Sequence, residues 1–415
     1  MQPSNPTRRA AAVALAAAVA LALTACGSAA KSGSDGGTKP AASAAPVTGG
    51  ASQIKVTLTG TSGDRCELDH TSAKAGPVTF TIENTSSTAI TEVELLSDQR
   101  IIGEKENLAP GLGAVKLTLT LDGGSYDLYC PGADTEHQKI TVTGKTAQAK
   151  GGGTESLLAQ GTTGYGDYVA GVLGDMVTAV GNLDAAVQSG DVADAKAKYA
   201  LARPFYEKVE SDVDGFVLPG HSATDNAGNL DYLIDMRADN LDPAVGWHGF
   251  HAIERDLWQN GAITAQTKQY ADELKRNVTE LASLAKGISY KPEDLANGAA
   301  GLLEEVQSSK ITGSEDAYSH TDLIDMASNV EGAQQAFEFL RPGLAKIDPD
   351  LTAQIETQFA NVTKLLDGYR DPSIPGGYTY WTPALKATDA AKLSRAVQAL
   401  QEPLSKIAEK VATAA

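Results

Sequence analysis

Between residues 53 and 144, apolar and polar side chains tend to alternate, whereas beyond residue 155 the apolar positions recur every three or four residues. The first pattern has the period of a half-buried strand. It predicts strands over 54–59, 78–82, 91–95, 115–119, 126–129 and 139–142, with turn residues at 75–77, 109–111 and 122–124 between them. Short strands at this spacing suggest a small β-sandwich. The second pattern predicts helices over 156–188, 192–214, 244–259, 262–286, 292–307, 315–340, 349–369 and 389–412. Long amphipathic helices with short connections make a bundle. The expected fold class is therefore multidomain β plus α: a small β-sandwich followed by an all-α helical bundle. Segments 215–240 and 371–382 are the longest irregular pieces.

Three stretches fall outside both patterns. Residues 1–25 read as a signal peptide, with Arg8 and Arg9 before a short apolar run. Leu23, Thr24, Ala25 and Cys26 form a lipobox, so cleavage before Cys26 and lipid on its sulfur are expected. Residues 26–50 are a Gly-, Ser-, Ala- and Pro-rich tether, and 146–155 a second linker. The β domain then spans 51–145 and the helical domain 156–415.

One helix breaks its own pattern. In the segment 246–258, Trp247, Phe250, Ile253, Leu257 and Trp258 form a broad apolar face. Glu254 projects into that face and His251, three residues earlier, lies beside it, while His248 points elsewhere. A carboxylate on a core-facing stripe is costly unless paired. The bland reading is a buried hydrogen-bonded pair; the chemical one is two metal ligands on one helix. Two further helices repeat the anomaly. Asp322, Asp325 and Asn329 border one core face, and Glu210 edges another, with Glu207 further round toward solvent. Carboxylates and a histidine aimed into a bundle suit iron, manganese or zinc better than soft copper(I).

Charge narrows the partners. With 34 basic against 52 acidic residues the net charge is −18, which excludes nucleic acid as a natural ligand and suits a cation. The H-E-x-x-H spacing of zinc peptidases is absent, and no Ser-His-Asp pattern stands out.

Four motifs in order then resemble a known family. They are Gly249-Phe250-His251-Ala252-Ile253-Glu254-Arg255, the stretch from Tyr318 to Asp325, Asn329-Val330-Glu331-Gly332-Ala333-Gln334, and the stretch from Ala202 to Glu210. Together with the preceding β region they are similar to EfeO-type iron-uptake proteins, a cupredoxin-like module joined to an imelysin-like one. The resemblance implies an extracytoplasmic iron-binding protein. It also implies two partners, a membrane ferrous-iron permease and a haem-containing peroxidase-like protein. It puts the metal site on His251 and Glu254; the core-bordering carboxylates Glu210, Asp322, Asp325 and Glu207 are further candidate ligands from the helix patterns. Iron is the expected metal, zinc or copper the alternatives. A zinc-dependent peptidase on the same residues is the runner-up, and a metal-free structural lipoprotein the third reading.

In a cupredoxin-like module, metal ligands cluster at one end. Cys130 and His137 fit that place, but the strand expected to supply the first histidine reads Thr91-Glu92-Val93-Glu94-Leu95, and no Met follows. Type 1 copper is therefore not expected. Cys66 and Cys130 have two readings: a disulfide, which an extracytoplasmic compartment sustains, or a second metal site with Glu94, Asp69 or His137. Glu104 and Glu106 read as a solvated edge.

Overall fold

The computed structural model describes residues 44–97, 100–106, 108–146 and 153–414. The expected leader and the expected lipidation residue, Cys26, lie outside them. Among the described residues, ten strands form two five-stranded sheets. The first holds β1 (Val47–Thr48), β2 (Ala51–Thr59), β5 (Gly76–Asn84) and β8 (Val115–Leu121) in that order, with β3 (Arg65–Leu68) on β2. The second runs β4 (Ser72–Lys74), β10 (His137–Thr143), β9 (Gly124–Tyr129), β6 (Val93–Ser97) and β7 (Arg100–Lys105). Alternation sets which side chains meet. Ile54, Val56 and Leu58 on β2, with Val78, Phe80 and Ile82 on β5, pack against Leu95, Leu128 and Ile140 of the other sheet. Cys66 and Cys130 are joined as a disulfide.

The helical part opens with α1 (Thr154–Ser189), 36 residues long, against which α2 (Val192–Glu207), α6 (Ala265–Leu284) and α8 (Asp322–Ile347) pack. The remaining elements are α3 (Glu210–Val213), α4 (Leu230–Asp235), α5 (Gly249–Glu254), α7 (Pro292–Glu305), α9 (Pro349–Asp367), α10 (Pro383–Leu404) and α11 (Ile407–Ala414). One apolar core runs through them, from Leu158 and Tyr165 to Leu400 and Val411.

Where the helices depart from the expected spans, tertiary contacts explain it. The helix expected over 192–214 breaks after Glu207. The carbonyl this exposes accepts from Asn329 Nδ2 at 2.8 Å. The break brings Lys208 so close to α8 that a Cβ at Gly332 would sit 2.2 Å from the Lys208 carbonyl oxygen. The helix expected from 244 starts only at Gly249, whose φ of 65° and contact with the Ile234 carbonyl demand glycine. Two helices end in an expanded π turn, α5 over Arg255–Gln259 and α7 over Val306–Lys310. The helix expected from 315 begins only at Asp322, because 315–321 form an irregular, mostly buried loop.

The β and helical parts belong to one compact unit, residues 42–415. β7 and β8 meet α7 and α11. Lys105 pairs with Glu304 at 2.8 Å, Thr120 N donates to Glu293 at 2.9 Å and Asn297 Nδ2 donates to the Thr118 carbonyl at 2.8 Å.

Candidate metal centre

His251 is fully buried on α5, held by its ring nitrogens. Nδ1 lies 3.0 Å from Glu254 Oε2, the i, i+3 partner the spacing anticipated. It also lies 4.0 Å from Asp316 Oδ1. Nε2 faces the other way, 3.3 Å from Glu315 Oε1 and 3.5 Å from Asp235 Oδ1. Two buried ligand groups result: His251, Glu254 and Asp316 on one side, and Asp235, His251 and Glu315 on the other.

The loop before α8 orients the first group. Glu254 Oε1 accepts the backbone N–H groups of Tyr318 at 2.9 Å and Ser319 at 2.7 Å. Asp316 accepts from the Tyr199 hydroxyl at 3.0 Å and from Thr321, and its N–H donates to Asp322 Oδ1 at 3.3 Å. The π turn immediately after Glu254 is of a kind that recurs at functional sites.

Fixed cations occupy the second group. Arg203 is buried and contacts Glu207, Asp235, Glu315 at 2.9 Å and Asp325 at 3.2 Å. Lys310, carried on the second π turn, lies within 3.1–3.6 Å of Glu315, Glu207, Glu305 and Glu210. Arg237 completes the set with Glu305 at 2.9 Å and Glu315 at 3.3 Å.

Charge does not balance in this core. Glu207, Glu210, Asp235, Glu254, Glu305, Glu315, Asp316, Asp322 and Asp325 are all buried, against Arg203, Lys310, Arg237 and the imidazole. A surplus of carboxylates in a low-dielectric interior requires protons or a further cation. Titration follows this surplus. Burial disfavours the imidazolium of His251, but hydrogen bonds to Glu254 and Glu315 outweigh it and lift its pKa to about 9. Burial, then the neighbouring Asp316, pushes Asp322 and Asp325 well above the carboxylate range. Glu315 goes the other way: Lys310 and Arg237 overcome its burial and hold it well below that range. Asp322 Oδ2 and Asp325 Oδ1 have no hydrogen-bond partner among the described residues.

The expected ligands therefore divide. His251 and Glu254 meet as anticipated. Glu210, Asp322, Asp325 and Glu207 enter the same polar core but do not reach His251. Glu207 and Asp325 are engaged by Arg203, Glu207 and Glu210 by Lys310, while Asp322 accepts the Asp316 N–H. Glu207 is also fully buried, correcting its expected solvent-facing position. Asp235, Glu315, Asp316, Lys310 and Arg237 escaped the sequence reading, and Tyr199 and Arg203, legible on or beside a core face, were not assigned to the site. Glu315 and Asp316 looked like the first turn of a helix, although two acids before Tyr318 and Ser319 could have signalled a loop.

The alternative second site in the β domain is corrected as well. With Cys66 and Cys130 paired, no thiolate remains to ligate metal. Asp69 pairs with His70 at 3.0 Å and accepts the Lys55 N–H at 2.8 Å. His137 contacts Asp127 at 2.9 Å and stacks on Tyr129. Glu94 lines a cleft facing the helices instead. Glu104 and Glu106 line the same cleft, so their expected solvated edge is an inter-domain face.

Comparison with known proteins extends this picture. The imelysin (peptidase M75) family model matches residues 161–407. The chain is 35% identical over 365 residues to "Iron uptake system component EfeO" of Escherichia coli O157:H7, covering 87% of this chain and 90% of that one. The same protein of E. coli strain K12 and that of Shigella flexneri match with equal identity and coverage. Among solved structures, reduced rusticyanin aligns with 23% of this chain and 82% of its own, at 16% identity and a TM-score of 0.20.

Proposed function

This chain belongs to the EfeO family of iron-uptake-system components, and from that premise we propose that it binds iron outside the cytoplasmic membrane and hands it to a membrane permease. The observation that carries this reading is the buried His251–Glu254–Asp316 group inside a core with more carboxylates than cations. Iron would sit between His251 Nδ1, Glu254 and Asp316, with the Tyr199 hydroxyl at its edge. Asp235 and Glu315 would hold the other ring nitrogen, fixing the tautomer as outer carboxylates do around metal-bound histidine. Mixed oxygen and imidazole donors favour iron, and admit zinc, over copper(I). Cys26 would tether the protein by lipid through the 26–50 linker, which agrees with there being no described helix long and apolar enough to cross a membrane. A ferrous-iron permease would receive the metal, alongside a haem-containing peroxidase-like protein.

Peptidase chemistry on the same residues is disfavoured by the hydrogen bonding of Glu254. One oxygen accepts two backbone N–H groups and the other meets His251, which fixes the carboxylate as a ligand beside the imidazole rather than as a mobile base for water. Anaerobic calorimetry with Fe2+, run beside Zn2+ and Cu2+, tests the reading. A His251→Ala/Glu254→Ala variant should lose about 100-fold or more in iron affinity. Unchanged affinity would sink the site, and metal-dependent casein cleavage lost in the variant would favour the peptidase.

A further inference from the structure

A cleft of about 770 Å³ lies between the β6–β7 face and the helical domain, and it reaches the wall of the metal centre. Asp235 lines it, and Asp235 Oδ1 is 3.5 Å from His251 Nε2. Asp231, one helical turn earlier on α4, lines it too, as do Asp214 and Glu305. A cleft walled mostly by one sign of charge focuses the field and concentrates counter-ions. A divalent cation is therefore drawn along it toward Asp235.

Among the described residues, Arg100, Arg237 and Lys291 are the cations lining this cleft. Arg100 lies over the Phe216 ring at 4.1 Å, and Lys291 Nζ donates to the Thr120 carbonyl. Arg237 alone of the three bonds a carboxylate that also contacts His251. Its Nη1 donates to Glu315 Oε2 at 3.3 Å, and Glu315 Oε1 lies 3.3 Å from His251 Nε2. The same Nη1 donates to Glu305 at 2.9 Å. The guanidinium thus stands between the cleft and the carboxylates around the imidazole.

Arg237 also differs from the other two cations of the centre. The Arg203 and Lys310 side chains are 1% and 0% exposed, that of Arg237 21%. Arg237 follows α4 in an irregular segment whose next three residues are exposed, and its Nε already lies 3.9 Å from the exposed Asp239. We propose that the cleft is the path by which the cation enters and leaves the His251 centre, and that Arg237 closes its inner end, yielding by turning toward Asp239. The proposal rests on the iron-binding reading of that centre. The exchange is charge for charge: as the guanidinium leaves Glu305 and Glu315, the incoming cation takes its place, so no buried carboxylate is left bare. Arg203 and Lys310 hold the rest of the core in shape meanwhile.

Anaerobic stopped-flow mixing of the full chain with Fe2+, followed by tryptophan fluorescence, gives the loading rate. Mixing the loaded protein with excess ferrous chelator gives the release rate. Arg237→Gln keeps a polar side chain without the charge, and should speed both steps about tenfold. Loss of a charge without the opening of a gate would speed loading but slow release. Thr224→Arg adds a cation to an exposed position on the cleft lining. It should slow both steps about fivefold at unchanged iron stoichiometry. Arg237→Gln rates equal to wild type, loading that rises while release falls, or rates indifferent to Thr224→Arg would overturn the path and its gate while leaving the iron site standing. Wild-type protein that binds no iron would overturn the site, and the gate with it.

Discussion

The molecule buries carboxylates in two places and neutralises them in two ways. In the helical core, Arg203 and Lys310 are permanent, fully buried counter-charges, each touching at least four acids. On the β6–β7 side of the inter-domain cleft, acids meet acids: Glu104 meets Asp214 and Glu106 meets Glu305. The first arrangement fixes geometry whatever the solvent contains. The second depends on what the solvent supplies, a proton or a cation. A rigid charge lattice suits a centre that must keep its shape between loading and release, whereas a solvent-dependent one responds to conditions.

The sharpest way to break the comparison is to remove a fixed cation. Arg203→Met should destabilise the fold by about 3–5 kcal/mol, because several buried carboxylates lose their partner at once. Urea unfolding of the metal-free variant measures this. A loss below about 1 kcal/mol would mean that protons replace the guanidinium easily.

Acidity comes next. Burial raises Glu94 to about 8, and it raises Asp231 and Asp294 to about 7; all three line the cleft. Each holds a proton in the folded state that the unfolded chain has already lost above its ordinary value near 4. Their contribution is complete below that value and disappears as pH rises through 7 to 8. His251, lifted to about 9, changes in the same direction over a higher window. The melting temperature of the metal-free protein should therefore fall by several degrees between pH 5 and pH 9. Glu94→Gln should flatten the part of that slope between pH 5 and pH 8, and a scanning-calorimetry pH series gives the answer.

Salt should have the smallest effect. Screening acts on charges that water can reach and scarcely on buried pairs. Raising NaCl at pH 8 should increase the melting temperature of the wild type by a degree or two, through the half-exposed cleft acids. The increase should vanish in Glu104→Gln/Asp214→Asn and persist in His251→Ala/Glu254→Ala.

Much of this architecture can be read from the chain alone, for definite reasons. The strands alternate because one face is core, so Ile54, Val56 and Leu58 announce β2 directly. The helix expected over 156–188 matches α1 to within two residues at each end because apolar periodicity dominates a long helix. His251 and Glu254 stood out because they violate such a periodicity. The residues that went unread violate nothing locally. Glu104 and Glu106 flank Lys105 in a polar run that reads the same whether their face meets water or another domain. Glu315 and Asp316 suit the first turn of a helix by composition, and only the packing of Tyr199 and Arg203 draws them into a loop. Asp235 ends a six-residue helix too short to carry a periodic signal.

The π turn that follows Glu254 also bears on how this centre is found in other chains. An extra residue in a helix turns everything beyond it by about 100°, so the five residues from Arg255 to Gln259 decide where Leu257 and Trp258 anchor the helix. A relative could keep histidine and glutamate three apart, lack the inserted residue, and aim the pair at a different neighbour. The sequence fingerprint of this site is therefore longer than its four-letter motif: it includes the phase of the helix that carries it.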